Sequence, residues 1–183
     1  TNMYGVYNIL EAVRTYKTPR YVQISTDEVF GAVMEGESDE GSKFEPRSPY
    51  SASKAAGDLL CQAYAITYGV PVIVTHACNF YGPYQFPEKL IPLFTMNLLE
   101  GKQVPVYGDG MQVREWIFAE DHCRAIDVIA RNGNPGDVYN IGTGYRIPNL
   151  KVIRKLLELT GRGEEAIEYV SDRPGHDRRY AIN

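Results

Sequence analysis

Tyr50 and Lys54 stand four residues apart in Ser48-Pro49-Tyr50-Ser51-Ala52-Ser53-Lys54. On a helix that spacing puts both on one face. A lysine ammonium beside a phenol stabilises the phenolate and draws its pKa down from a reference of about 10, which makes a usable general base. With 14 tyrosines in the chain, the pair taken alone reads equally well as solvated helical neighbours. A second cluster, Ser25-Thr26-Asp27-Glu28, follows a short apolar run. In open α/β sheets ligands sit beyond the carboxyl ends of strands, so a polar cluster there faces a site. Two adjacent carboxyls can divide the roles of acid and base if their surroundings separate their pKa values. The bland alternative for this tetrapeptide is a turn with a helix-capping carboxylate.

The elements that must carry these groups follow from pattern. Val6, Ile9, Leu10 and Val13 recur at helical spacing directly after Thr1-Asn2-Met3-Tyr4-Gly5, so the chain opens at or inside a helix, as a fragment would. Residues 20–25 read as a strand and 31–47, rich in Gly, Glu and Ser, as a surface loop. Ser48 suits an N-cap and Pro49 the first helical position, opening a helix to Tyr68 that Gly69 ends. Residues 70–77 form a β-branched run, and strand–helix–strand order favours a parallel sheet.

Composition changes at Asn79. An aromatic Gly/Pro-bearing loop over 79–87 precedes a helix over 88–100, and strands are expected at 104–107 and 113–118 around Gly108-Asp109-Gly110. A helix over 121–131, a strand over 138–141 and a helix over 150–159 follow; the apolar face Leu150, Ile153, Leu156 and Leu157 is most simply core. Asp172 to Arg179 is polar and irregular.

The 183 residues are 44% hydrophobic and 23% charged, which excludes a disordered tail, a collagen and a coiled coil. A net charge of −4 gives no electrostatic footprint for nucleic acid. Tyr81, Tyr84 and Phe86 therefore suit a small-molecule pocket or core better than base stacking. No apolar run is long enough to span a bilayer, and no signal peptide opens the chain. Cys61, Cys78 and Cys123 are odd in number and widely spaced, so a reduced, cytoplasmic setting is expected. His76, His122 and His176 are too scattered for a metal signature, and no metal is expected.

Together the segments resemble the extended short-chain dehydrogenase/reductase superfamily and, within it, the dTDP-glucose 4,6-dehydratases. The resemblance runs along the whole chain. It rests on Ser25 to Gly31, Ser48 to Lys54, Tyr81-Gly82-Pro83-Tyr84-Gln85-Phe86-Pro87-Glu88-Lys89-Leu90-Ile91-Pro92, and Arg173-Pro174-Gly175-His176-Asp177-Arg178-Arg179-Tyr180. Tyr-x-x-x-Lys marks only the superfamily; Thr-Asp-Glu and the Pro-Gly-His-Asp-Arg-Arg tail are more specific.

The resemblance implies an α/β fold: the carboxyl-terminal part of a Rossmann-like parallel sheet with a smaller substrate-binding α/β lobe. Residues 1–78 would be the rest of the NAD-binding domain with the catalytic residues, and 79–183 mainly the nucleotide-sugar region. The implied catalytic set is Thr26, Asp27, Glu28, Tyr50 and Lys54, with Tyr50 the base at C4–OH, Asp27 the protonated acid and Glu28 the base at C5. Thr1, Tyr50, Lys54 and Phe80 would contact NAD. Thr26, Asn79, Lys89 and Leu90 would line the sugar and diphosphate, and Pro105, Val106 and Tyr107 the nucleoside. Arg114 would take the diphosphate, its planar fork suiting phosphate, while as a lone arginine a surface ion pair is as good a reading. Asn149 and Asp172, Arg173, Pro174, Gly175 and His176 would close over the nucleotide.

Two departures bear on cofactor binding: Phe80 replaces a second asparagine and His76 stands where arginine is common. The family's glycine-rich phosphate loop has no counterpart in these residues; Gly142-x-Gly144 meets Ile147 at its third position, and Gly101-Lys102 lacks an upstream glycine. The 183 residues alone are therefore expected to turn over poorly. The resemblance further implies a homodimer through helices 2–16 and 49–68. A UDP- or CDP-sugar dehydratase or decarboxylase, or a non-catalytic nucleotide-sugar module, are the rival readings.

Overall fold

The computed structural model describes residues 1–183. Helix α1 (Tyr4–Tyr16) buries Val6, Leu10 and Val13 and leads into strand β1 (Tyr21–Ile24). A 3₁₀ turn over Asp27–Phe30 then redirects the chain toward α2 (Pro49–Tyr68). The Ser48 hydroxyl accepts the Ser51 amide at 3.1 Å, Pro49 occupies the first turn, and Gly69 closes α2 at φ 63°, where a side chain would be strained. Strand β2 (Val72–Ala77) is buried along its whole length, as a central strand covered on both faces must be.

Strand β3 (Asn79–Tyr81), α3 (Leu90–Leu99), β4 (Val104–Tyr107), β5 (Val113–Phe118) and α4 (Ala119–Asn132) follow. The chain continues through β6 (Val138–Ile141), β7 (Arg146–Pro148), α5 (Asn149–Thr160) and β8 (Ile167–Val170). The first sheet has the order β1-β2-β6, all parallel, with Ile24 level with Thr75 and Ala77 with Ile141. β6 thus joins in space the sheet begun by the first third of the sequence. A second sheet orders β3-β5-β7, parallel then antiparallel, and β4 pairs with β8 in parallel.

Two apolar cores hold these layers. Val6, Leu10, Val13, Cys61, Tyr64 and Val72 join α1, α2 and the first sheet. A methyl group on Gly57 would lie 3.1 Å from the Asn2 carbonyl oxygen, so the close crossing of α1 and α2 depends on that glycine. Phe94, Leu98, Val104, Val106, Ile153 and Leu157 join α3, α5 and the β4–β8 pair. At about 1.5–3 kcal/mol for each fully buried aliphatic side chain, these cores dominate the stability of both layers.

The limits 49–68, 104–107, 113–118 and 138–141 read from pattern hold at both ends, and the other elements differ by one or two residues. The larger differences are strands that pattern alone does not reveal. Asn79–Tyr81, expected in a loop, pairs with Trp116–Phe118, and the three- and four-residue β7 and β8 exist only through their partners. No helix is long and apolar enough to cross a membrane.

Candidate active site

The carboxyl ends of β1 and β2, the first turn of α2, and β3, β4 and β5 surround one cavity of about 550 Å³. Thr26, Asp27, Glu28 and Tyr50 line one end. Thr26 caps the 3₁₀ turn, its hydroxyl accepting the Glu28 amide at 3.3 Å and donating to Asp27 Oδ1 at 3.3 Å. The turn buries Asp27, whose Oδ2 has no protein partner. Burial first, and the neighbouring Glu28 carboxylate second, push Asp27 up to about 7, against the pull of Arg114. Glu28 Oε2 instead accepts the Ser51 hydroxyl from α2 at 3.0 Å. The two adjacent carboxyls thus sit in different surroundings: one sealed, one hydrogen-bonded at the cavity edge.

Asp27 ties stability to pH. Its folded pKa lies above the ordinary 3.8, so between about pH 4 and 7 the folded state holds the proton that the unfolded chain releases, and stability falls as pH rises through that window. Asp27→Asn removes this cost. Its melting temperature should match the parent's near pH 4 and exceed it increasingly up to pH 8, by a gain of roughly 1–3 kcal/mol. A difference that stays constant over that range would contradict the assignment.

Tyr50 is half-exposed at the cavity, and its phenol departs from the sequence expectation. Partial burial, then the carboxylates Glu28, Asp27 and Asp58, push its pKa up rather than down. Lys54 explains the difference. Its Nζ donates to the Ile24 carbonyl at 2.7 Å, and the side chain does not line this cavity. Burial lowers the lysine, and Asp58 works against that fall.

The other end is built by alternation along β5. Arg114 and Trp116, with Gln112 just before the strand, line the cavity at period two, while Glu115 on the opposite face holds the Thr143 and Gly144 amides. Arg114 is buried with its guanidinium 4.2 Å over the Tyr180 ring, donating at 2.8 Å to the carbonyls of Val113 and Asp177. The lone-arginine alternative of a surface ion pair is thereby replaced by a fixed fork on a cavity wall. Asn79, Phe80, Lys89 and Leu90 form the adjoining side, and Pro105, Val106, Tyr107 and Asn149 the far side.

From the tail, Arg173 and His176 reach the cavity, whereas Asp172, Pro174 and Gly175 do not line it. Asp172 stands behind His176, 2.6 Å from its Nδ1, and accepts Gln112 Nε2 at 2.9 Å. Gly175, at φ 69°, makes the turn between them. Thr1 is exposed and apart from the cavity. Gln85, Glu88, Gln112 and Trp116 also line the cavity and are absent from the candidates chosen by sequence. The period-two run 112-114-116 was the available signal for two of them.

Buried polar atoms of the lining residues Asp27, Gln85, Trp116 and Asn149 lack protein partners, which suits a polar ligand. Tyr50 and Phe80 on the wall, with Lys54 keeping donors beyond its one hydrogen bond, fit the ribose end of a nicotinamide cofactor. No group of three or more His, Cys, Asp or Glu is gathered to hold a metal ion.

Residues 1–142 match the NAD dependent epimerase/dehydratase family, and the chain belongs to that family. Within it, the chain is 49% identical over all 183 residues to a dTDP-glucose 4,6-dehydratase of Streptomyces niveus and 49% identical to the low-salt glycan biosynthesis protein Agl12 of Haloferax volcanii. It spans 54% and 59% of those two proteins, little more than half their length. Among solved structures, dTDP-glucose 4,6-dehydratase DesIV from Streptomyces venezuelae, with NAD bound, superposes at a TM-score of 0.99 with 46% identity, covering all of this chain and 57% of that one. UDP-glucose 4-epimerase of Thermus thermophilus, in complex with NAD, gives 0.92 and 30%, with 61% of that chain covered.

Proposed function

We propose that the protein carrying this chain is a dTDP-glucose 4,6-dehydratase that converts dTDP-glucose to dTDP-4-keto-6-deoxyglucose. The observation that carries the reading is the adjacent Asp27–Glu28 pair beside Tyr50, one carboxyl buried and pushed up to about 7, the other at the cavity edge. An epimerase needs no acid for a departing hydroxyl; a dehydratase does. The dTDP-glucose 4,6-dehydratases among the relatives, at 46–49% identity, favour the same reading.

Tyr50, Lys54 and the Phe80 wall would hold NAD⁺ at its nicotinamide ribose, where the cofactor would supply a hydride acceptor for C4 and later a hydride donor for C6. The Tyr50 phenolate takes the O4 proton while the Thr26 hydroxyl holds that oxygen. With a ketone at C4 the C5 proton is acidic, and Glu28 removes it. Protonated Asp27 gives its proton to the C6 hydroxyl, which leaves as water; once hydride is returned to C6, Glu28 in its protonated form gives a proton back to C5. Arg114 grips the diphosphate, and Arg173 and His176 close over the nucleotide. In this reading residues 1–78 carry the catalytic part and 79–183 mainly the substrate part, in a cytoplasmic enzyme.

The test is incubation of the gene product with NAD⁺ and, separately, dTDP-, UDP- and CDP-glucose, with products read by mass spectrometry. Loss of water chiefly from dTDP-glucose supports the reading; a C4 epimer, or preference for another nucleotide, overturns it.

A homodimer through α1 and α2 belongs to the same proposal. Tyr4, Tyr7 and Ile9 on α1 and Leu59 and Ile66 on α2 are exposed apolar groups, Ile66 at 87%. Soluble surfaces seldom gather such residues without a partner. Sedimentation at micromolar concentration should give a dimer, and Ile66→Asp with Leu59→Asp should give a monomer. A monomeric parent would refute this interface.

A further inference from the structure

One buried acid takes no part in the chemistry above. Asp58 lies on α2 one turn beyond Lys54 and two beyond Tyr50, so the three share a helix face. It is wholly buried, where carboxylates are uncommon unless paired. Its Oδ2 accepts the Ser25 hydroxyl at 2.5 Å and lies 3.3 Å from Nε2 of His76 on β2, both of them buried. The His76 ring is set edge-on to Phe30 and Phe44, with centroids 4.9 and 5.6 Å away, and its Nδ1 has no partner. A carboxylate oxygen only accepts, so the hydrogen of this contact is on Nε2.

Ser25 sits between Ile24 and Thr26, the two residues the site depends on for Lys54 and the sugar. Three side chains on successive turns of α2 grip this strand end. Ser51 donates to Glu28, Lys54 to the Ile24 carbonyl, and Asp58 receives Ser25. Ser51 and Asp58 both do so from complete burial, and of the two only Asp58 is an acid.

We propose that Asp58 is a positioning residue whose buried carboxylate clamps the Ser25 end of β1 to the face of α2 that carries Tyr50 and Lys54. The proposal rests on reading Tyr50 as the base and Lys54 as its partner. The charge of Asp58 also bears on that pair, disfavouring the Tyr50 phenolate and favouring the Lys54 ammonium. Glu28 and Asp27 from the 3₁₀ turn also face Tyr50, Cys61 from α2 faces Lys54, and Tyr21 from β1 and His76 from β2 face Asp58 itself.

Asp58→Asn keeps the shape and an acceptor for Ser25 while removing the charge. The experiment is a pH titration of phenolate absorbance in the full gene product, with Tyr50→Phe in each background as the blank, beside kcat and KM for dTDP-glucose. Asp58→Asn is expected to loosen proton binding at Tyr50 by about threefold to tenfold. At its pH maximum kcat should fall about tenfold with KM unchanged. Ser25→Ala, which removes a tether and no charge, should lower that maximal kcat and leave the Tyr50 midpoint in place.

A lower melting temperature with both the midpoint and the maximal kcat unchanged would overturn the proposal. If Asp58→Asn does not fold, a Ser25→Ala variant with the parent's kcat overturns it equally. A shifted midpoint in a protein that leaves dTDP-glucose untouched would support Asp58 as a positioning residue and sink the substrate reading alone.

Discussion

Asp27→Asn and Glu28→Gln are expected to stop the loss of water while leaving oxidation at C4 intact. Both residues act only after the ketone exists. Asp27 is buried, pushed up to about 7 and thus available as an acid near neutral pH; Glu28 is anchored by Ser51 at the cavity edge, where a base at C5 is needed. A positioned acid or base is worth about 10²–10⁴-fold. In a single turnover the reduced cofactor should therefore appear at the parent's rate and persist, and quenched samples should contain a 4-keto-glucose nucleotide. Elimination at parental speed in either variant would return Thr26-Asp27-Glu28 to the status of a turn.

Tyr50→Phe should instead abolish the first step, with a loss of about 10²–10⁴-fold in oxidation and no ketone detected. The pH dependence of the two steps should run in opposite directions. Burial and three carboxylates hold the Tyr50 phenol above its ordinary value, so its active phenolate grows as pH rises. Asp27 must be protonated to act and loses its proton as pH rises through about 7. Oxidation should therefore quicken and elimination slow with rising pH, and turnover should pass through a maximum. Stopped-flow absorbance for the first step and rapid-quench analysis for the second separate the limbs. Parallel pH profiles would contradict the assignment.

The parts of this site legible in the sequence are those specified by neighbours along the chain. Ser48, Pro49 and Gly69 delimit α2, and the spacing of Tyr50 and Lys54 places both on one face. What the helix alone leaves open is where the Lys54 ammonium goes. The Ile24 carbonyl that receives it belongs to a strand 30 residues earlier, and the acids that raise Tyr50 arrive through the 3₁₀ turn and the next turns of α2. Arg114 was legible as a residue type, but its fixing by Tyr180 and the Asp177 carbonyl depends on the tail crossing β5 at the Val113–Arg179 bridge. Asp172, grouped with His176 by adjacency, stands behind it, its carboxylate taken up by His176 and Gln112. Strands β7 and β8 escaped for the same reason. Arg-Ile-Pro and Ile-Glu-Tyr-Val become strands through pairing with β5 and β4.

The central claim, that this site moves hydrogen from C4 to C6 around a loss of water, is tested most directly with dTDP-glucose deuterated at C4. Mixed with unlabelled substrate and turned over in ordinary water, the gene product should give a 4-keto-6-deoxy sugar with the deuterium at C6 of the molecule that began with it. A product that keeps its deuterium at C4 with that centre inverted, or a 6-deoxy sugar without the label, would contradict the account.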